Sequence, residues 1–251
     1  MRFDILTIFP EFFAGPIGGG PFSCGLLKRA ISAGLVSVHV HNLRDWAEGP
    51  HRQVDDTPYG GGPGMVMKVE PICRAIEAIR AMADPPVVAL LSAQGRLFDQ
   101  TTASRYRAAG RLVLICGRYE GVDRRVADMV VDEELSVGDF VLAGGEIAAL
   151  NVIESVSRLV PGAAGNPESV ESESFTRGLL DYPQYTRPAD FNGWRVPEEL
   201  LSGHHARIER WRREAALELT RRNRPDLYLK LAGDPERREE VSRRRGEGHF
   251  V

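Results

Sequence analysis

The chain has 251 residues, of which 43% are hydrophobic and 27% charged, with a net charge of −3. That is the composition of an ordinary globular protein, long enough for one large domain or a domain with a smaller companion, and it argues against a simple polybasic nucleic-acid binder. No apolar run approaches the ~18–20 residues of a membrane span, so no membrane partner is expected.

The N-terminus, MRFDILTIFPEFF, carries acids and a proline, and it lacks the basic region, apolar core and cleavage site of a signal peptide. Cys24, Cys73 and Cys116 show no C-x-x-C spacing, which indicates neither a disulfide framework nor a zinc site and fits a reducing cytoplasm. Charge is unevenly spread. Residues 1–174 hold 16 basic and 22 acidic side chains, whereas 175–251 hold 16 and 13. The C-terminal part is the mildly basic one.

In chain order, Phe3 to Phe9 is a predicted strand stopped by Pro10. Leu26, Leu27, Ala30 and Ile31 give a helical face closed by Gly34. Val36 to Val40 alternates as a second strand, with His39 and His41 as side chains on one of its faces. From Arg44 to Gly64 periodicity is lost in a long loop ending HRQVDDTPYGGGPGM. It lacks the Gly-Lys-Ser/Thr ending of a P-loop, and the chain contains no G-x-G-x-x-G, so nucleotide hydrolysis and a dinucleotide-type Rossmann site are disfavoured. The glycine run reads either as a tight turn packed on the sheet or as a functional loop.

Pro71 reads as the first residue of a helix whose stripe is Ile72, Ala75, Ile76 and Ile79. Val87 to Leu91 is a buried strand running into the loop Ser92 to Gly95, and a helix from about Asp99 to Ala109 is capped by Gly110. The organising stretch follows. Leu112 to Cys116 is a buried strand, broken at once by Gly117-Arg118-Tyr119-Glu120-Gly121. A short helical piece from Asp123 leads to Ser136-Val137-Gly138-Asp139-Phe140-Val141-Leu142-Ala143-Gly144-Gly145-Glu146. Loops at the C-terminal ends of parallel strands bind ligands in open α/β folds, and glycine lets backbone approach closely. These loops therefore predict a small-molecule pocket built largely from main chain.

A helix from Glu146 to Val160, with Ile147, Leu150, Ile153 and Leu159 inward, ends at Pro161-Gly162, and Arg158 in its last turn reads as a cation complementing the helix dipole. Residues 162–174 are small, polar and acidic, and read as a linker in which Glu173 is a solvated acid. Beyond it strand-like runs vanish. A long helix opens at Ser202-Gly203, with Ile208, Trp211, Ala215 and Leu219 on one side and seven arginines against three glutamates over residues 203–224. Arg207, Arg210, Arg213, His204 and His205 are candidates for RNA contact, against the alternative of a solvated face. Strands alternating with helices predict an α/β fold with a mostly parallel sheet covered on both faces, followed by a small helical C-terminal part.

The motifs IFPEFF, HRQVDDTPYGGGPGM, CGRYEGVD, SVGDFVLAGGE, LLDYPQYTRP and SGHHARIERWR, in this order, resemble the bacterial tRNA (guanine-N1)-methyltransferases of the knotted SPOUT superfamily. The resemblance covers nearly the whole chain. It implies a C-terminal trefoil knot in a methyltransferase domain at residues 1–161, a linker at 162–174, and a tRNA-binding domain at 175–251. It implies methyl transfer from S-adenosylmethionine to N1 of the guanine at position 37 of tRNA, just 3′ of the anticodon, by a homodimer with shared active sites.

The cofactor residues it implies are Leu91 and Ser92, then Gly117, Tyr119, Glu120 and Gly121, then Ser136, Val137, Gly138, Phe140, Leu142, Gly144 and Gly145. It places the 44–64 loop, with Arg52, Asp55 and Asp56, near tRNA and cofactor. Arg158 matches the family's catalytic arginine, and Glu173 stands where the family's catalytic base is an aspartate. Magnesium is implied for activity, though no clustered acids mark a dedicated metal site. A non-catalytic RNA-binding protein that kept the fold is the alternative.

Overall fold

The computed structural model describes residues 1–14, 20–165 and 173–233. The chain forms two compact units, Met1–Pro167 and Glu168–Val251. The first is organised by five strands: β1 (Arg2–Thr7), β2 (Ser37–Asn42), β5 (Val87–Leu97), β6 (Arg111–Cys116) and β7 (Glu133–Ser136). They pair in the order β2-β1-β6-β5-β7, all parallel. Two residues each of β3 (Asp55–Asp56) and β4 (Val66–Met67) pair antiparallel as a separate ribbon.

Strand side chains alternate between faces. Phe3, Ile5, Ala89, Leu91, Leu112, Leu114 and Cys116 face one helical layer. That layer comprises α2 (Gly25–Ser32), α4 (Gln100–Ala109) and α6 (Glu146–Arg158). Leu6, Val88, Leu90, Val113 and Ile115 face the opposite layer of α3 (Val69–Ala81) and α5 (Arg124–Val130). Burial on both faces is why these strands are near-continuous apolar runs. The short α1 (Glu11–Ala14) follows β1. None of the helices among the described residues is long and apolar enough to cross a membrane.

Several boundaries differ from the sequence expectations, each for a local reason. β1 ends at Thr7, two residues early, because the Thr7 hydroxyl accepts the Phe9 N–H at 3.0 Å. α3 begins at Val69, so Pro71 is its third residue, still within the first turn whose N–H groups have no helical partner. β5 continues past Leu91 to Leu97, and its register against β7 shifts between Leu91 and Arg96. The segment expected as a loop is thus an irregularity inside a strand. Of the stripe expected on α6, Ile153 is buried and Leu150 and Leu159 half-buried, but Ile147 is 46% exposed, and Ala148, Ala149, Val152 and Val156 complete the buried face. Small residues among these let the helix approach the sheet.

The second unit carries a hairpin of β8 (Asp190–Phe191) and β9 (Trp194–Arg195), where no strand was expected. Its helices are α7 (Glu198–Leu201), α8 (His205–Asn223) and α9 (Pro225–Gly233). In α8 the deepest residues are Ala216, Leu217 and Thr220, while Ile208, Trp211, Ala215 and Leu219 are half-buried. The Thr220 hydroxyl donates to the Ala216 carbonyl at 2.7 Å and accepts the Leu180 N–H at 3.0 Å, fastening the preceding segment to α8.

At the N-terminal edge of the sheet, Asp4 is fully buried. It accepts hydrogen bonds from Arg2 at 2.8 and 2.9 Å, from His41 at 2.9 Å and from Arg111 at 3.1 Å. Burial pushes its carboxyl up, but the bonds from His41, Arg2 and Arg111 outweigh this and hold it well below the usual carboxylate range. A depressed folded-state value gives stability that is present above the unfolded value near ~3.9 and is lost as pH falls below it. Asp4→Asn, which leaves the buried Arg111 without its counter-charge, should cost about 3–5 kcal/mol in urea unfolding at neutral pH. The gap from wild type should narrow as the pH drops below about 4.

Candidate active site

A cavity of about 490 Å³ opens at the C-terminal ends of β5, β6 and β7. Its walls come from Leu91–Ser92, from the 117–121 loop and from the 136–145 segment, and every cofactor candidate named above on those loops lines it. The two longer loops are laced together by main chain. Arg118 and Gly144 form an antiparallel bridge, and the Gly145 N–H donates to the Gly117 carbonyl at 3.0 Å. Within the first loop, the Gly121 N–H donates to the Arg118 carbonyl at 3.1 Å. Tyr119 is held there at φ +61°, a conformation that a non-glycine residue adopts at a cost and that concentrates at functional sites.

Of the glycines expected to admit a ligand, Gly121 has open space and Gly117 only ordinary contacts, whereas Gly138, Gly144 and Gly145 are crowded by the chain itself. A Cβ on Gly145 would lie 2.7 Å from the Cys116 Cα, and one on Gly144 would lie 2.1 Å from the Arg118 Nε. A Cβ on Gly138, at φ +153°, would meet the Phe140 ring at 2.3 Å. The ribbon of β3 and β4 docks on the same rim. The Glu120 N–H donates to the Met65 carbonyl at 3.0 Å, and the Met67 N–H to the Gly121 carbonyl at 2.9 Å. Gly60, Gly61 and Gly62 at its tip have open space around them, so they are not packed on the sheet.

Beneath the crossing loops lies a polar network that the sequence did not reveal. Glu146, the first residue of α6 and only 1% exposed, accepts the Thr7 hydroxyl at 2.7 Å and the Arg118 Nε at 2.9 Å. Arg118 also donates to the Ala143 carbonyl at 3.2 Å and stands over the Phe9 ring at 4.6 Å. A carboxylate in the first helical turn is further favoured by the helix dipole. Glu146 read from sequence only as the polar start of an amphipathic helix; its burial was visible only in three dimensions. Burial, followed by the neighbouring Glu146, pushes the fully buried Cys116 thiol well up, so it offers no reactive thiolate. Glu134, Arg124 and Gln94 also line the cavity, and Glu134 pairs with Arg124.

The remaining candidates lie elsewhere. Arg158, half-buried, ends α6 and does not line this cavity. Twelve residues at ~1.5 Å each put it roughly 18 Å along the helix from Glu146. Glu173 is half-buried at the start of the second unit's described part, and its carbonyl accepts the Thr176 N–H at 3.4 Å. Ser174 beside it accepts the Asp181 N–H at 2.9 Å, so this segment is fastened to its own unit. Glu171, a possible alternative acid, lies outside the described residues, as does most of the linker. Asp55 and Asp56 form β3, and Arg52 pairs with Asp45 at 3.2 Å.

On α8, Arg207 lies 3.6 Å from Glu199, and the His204 Nδ1 caps the helix by accepting the Arg207 N–H at 3.4 Å. His205, Arg210 and Arg213 are exposed, and neither of these two arginines pairs with an acid among the described residues. No cluster of three or more His, Cys, Asp or Glu side chains that could hold a metal occurs among the described residues.

Comparison with known proteins agrees with the geometry. The profile of the family described as tRNA (Guanine-1)-methyltransferase TrmD matches residues 1–230. A Geobacter sulfurreducens protein named tRNA (guanine-N(1)-)-methyltransferase is 53% identical over 230 residues, covering 92% of each chain. Relatives of the same name from Gloeobacter violaceus (54% over 231 residues, 90% of this chain and 98% of the relative) and Dehalococcoides mccartyi (50% over 232 residues, 92% of each) are similar throughout.

Because the loop crossing at Gly145 leaves no room even for a methyl group against backbone, Gly145→Ala should destabilise the chain by about 1–3 kcal/mol. Gly165→Ala, with nothing within 4 Å, is the matched control in chemical denaturation.

Proposed function

The chain belongs to the tRNA (guanine-1)-methyltransferase family, and from that membership we infer that it transfers the methyl group of S-adenosylmethionine to N1 of a tRNA guanine. We assign that guanine to position 37, just 3′ of the anticodon. The observation that carries the reading is the main-chain cavity at the strand ends, whose ~490 Å³ falls within the range of roughly 300–1,000 Å³ for small-molecule sites. The alternative, an RNA-binding protein without catalysis, is not favoured, since the relatives carry an enzyme's name across nearly the whole chain.

S-adenosylmethionine, when bound, supplies an electrophilic methyl on its sulfonium. The protein's task is therefore positioning and charge. The glycine loops at 117–121 and 136–145 hold the donor through backbone groups, with Leu91 and Ser92 closing one side. Guanine N1 gives up its proton as it takes the methyl group, and the electrons of the broken carbon–sulfur bond return to sulfur. Glu173 accepts that proton. Arg158 donates to the guanine oxygen on which negative charge builds, a task that suits a planar, permanently charged donor.

Arg158 sits far along α6 from its own chain's cavity, which supports a homodimer in which Arg158 and Glu173 serve a site shared with the partner. Residues 1–161 are assigned as the donor-binding domain with a C-terminal trefoil knot and 175–251 as the tRNA-binding domain, joined by the 162–174 linker, in a cytoplasmic enzyme. The residues described offer no donor set for a protein-held magnesium ion, and no step is assigned to a metal.

Glu173→Gln keeps size and polarity but cannot take the proton, so single-turnover methyl transfer should fall by ~10²–10⁴-fold while tRNA and donor still bind. Glu173→Asp shortens the arm by one methylene. A rate below wild type there indicates a linker adapted to glutamate, whereas near-normal transfer by Glu173→Gln moves the base to Asp55, Asp56 or Glu171.

For tRNA contact, the exposed Arg210 and Arg213 are the stronger candidates on α8, since Arg207 lies near Glu199. Replacing both with alanine should weaken tRNA binding and flatten its log–log salt dependence by about 0.7–0.9 per lost phosphate contact. An unchanged slope returns this helix to the solvated-face alternative.

A further inference from the structure

Guanine N1 lies on the base's pairing edge, so the target must leave its stack before that nitrogen can enter a closed site. The bases beside it then lose a stacking partner, and aromatic side chains are the usual replacement. The second unit displays an aromatic pair in a suitable form. Its hairpin of β8 and β9 is turned by Asn192 and Gly193 at φ +54° and +87°, the left-handed pair of a type I′ turn.

Asp190 braces the tip, accepting the Gly193 N–H and the Arg195 Nε, each at 2.9 Å. The Val196 N–H donates to the Ala189 carbonyl at 2.9 Å and closes the base of the ribbon. Phe191 and Trp194 pair directly across it, which puts both side chains on one face. They are 64% and 84% exposed, and neither ring packs against another aromatic ring among the described residues.

A braced turn that holds two large rings in water is costly for folding alone. Asp190 is neutralised by Arg195; the exposed Arg187 lies just before the ribbon and the exposed Glu198 just after it, so of these flanking charges the arginine is the one a polyanion would use. Arginine beside open aromatic faces is the chemistry that single-stranded nucleic acid selects, with phosphates on the cation and bases on the rings.

We propose that Phe191 and Trp194 form a stacking platform for unpaired bases of the tRNA substrate. The platform rests on the methyltransferase reading given above and extends it to a surface distinct from the arginines of α8. Its test uses the full chain and an unmodified tRNA transcript. Trp194→Leu and Phe191→Leu keep apolar bulk but remove the π-face, and each should raise the tRNA Kd by about 5- to 100-fold. Trp194→Phe and Phe191→Tyr should stay close to wild type, which separates stacking from a loss of fold.

S-adenosylmethionine affinity and oligomeric state should not move in any of the four. Leucine variants that bind tRNA like wild type overturn the platform. So do aromatic variants that fall as far as the leucine ones, or leucine variants that shift the oligomeric state, which would assign the face to a second copy of the chain. Wild-type methyl transfer measured alongside distinguishes the two levels. If it is absent, the functional reading fails; if it is present with unaffected leucine variants, only the platform does.

Discussion

The structure of the first unit depends on one buried carboxylate. Glu146 joins three parts of the chain that are remote in sequence: the end of β1 through Thr7, the loop after β6 through Arg118, and the start of α6 on which it sits. A carboxylate this deeply buried is tolerable only when hydrogen-bonded and paired, so the three segments are held wherever Glu146 is satisfied. The Arg118 side chain, which also borders the cavity, is drawn into the network, and the backbone of Ala143 and Gly144 settles against it. The cavity wall then combines main chain and glycine with side chains such as Gln94, Tyr119, Glu134 and Phe140.

That arrangement suits the chemistry. Methyl transfer from a sulfonium needs no nucleophile from the protein, and it benefits from a rigid cradle that fixes the donor. The groups proposed to handle the guanine's proton and charge, Arg158 and Glu173, are not among the residues that line this cavity. A division in which one part holds the donor and another brings the base and the RNA contacts agrees with the charge asymmetry between the two halves of the chain.

The parts of the fold that were legible in the sequence are those where one physical demand dominates. Val87 to Leu91 and Leu112 to Cys116 are buried on both faces, and their apolar runs announce it. Asp99 and Gly110 cap α4 as their side chains and φ preferences require, with the Asp99 carboxylate accepting the Thr102 N–H at 2.8 Å and Gly110 left-handed at φ +75°. β7 was invisible because Glu133 and Glu134 give it no apolar run. It is an edge strand, and its acids are accounted for by Arg105 and Arg124.

The hairpin of the second unit leaves no apolar run in the sequence although Asn192-Gly193 is a strong turn signal, because its strands are only two residues long. The cavity loops could be located from glycine spacing, but the reason for the glycines could not. At Gly144 and Gly145 the crowding neighbours are Arg118 and Cys116, nearly thirty residues away along the chain. The roles proposed for Arg158 and Glu173 are not legible from residue type at all and rest on family resemblance. The central claim is tested most directly by identifying the product. Wild-type protein, S-adenosylmethionine and an unmodified tRNA with guanine at position 37 should yield 1-methylguanosine at that position on nucleoside mass spectrometry, and none when that guanine is replaced. Methylation of another atom or another position, or no transfer with an intact donor complex, would contradict the account.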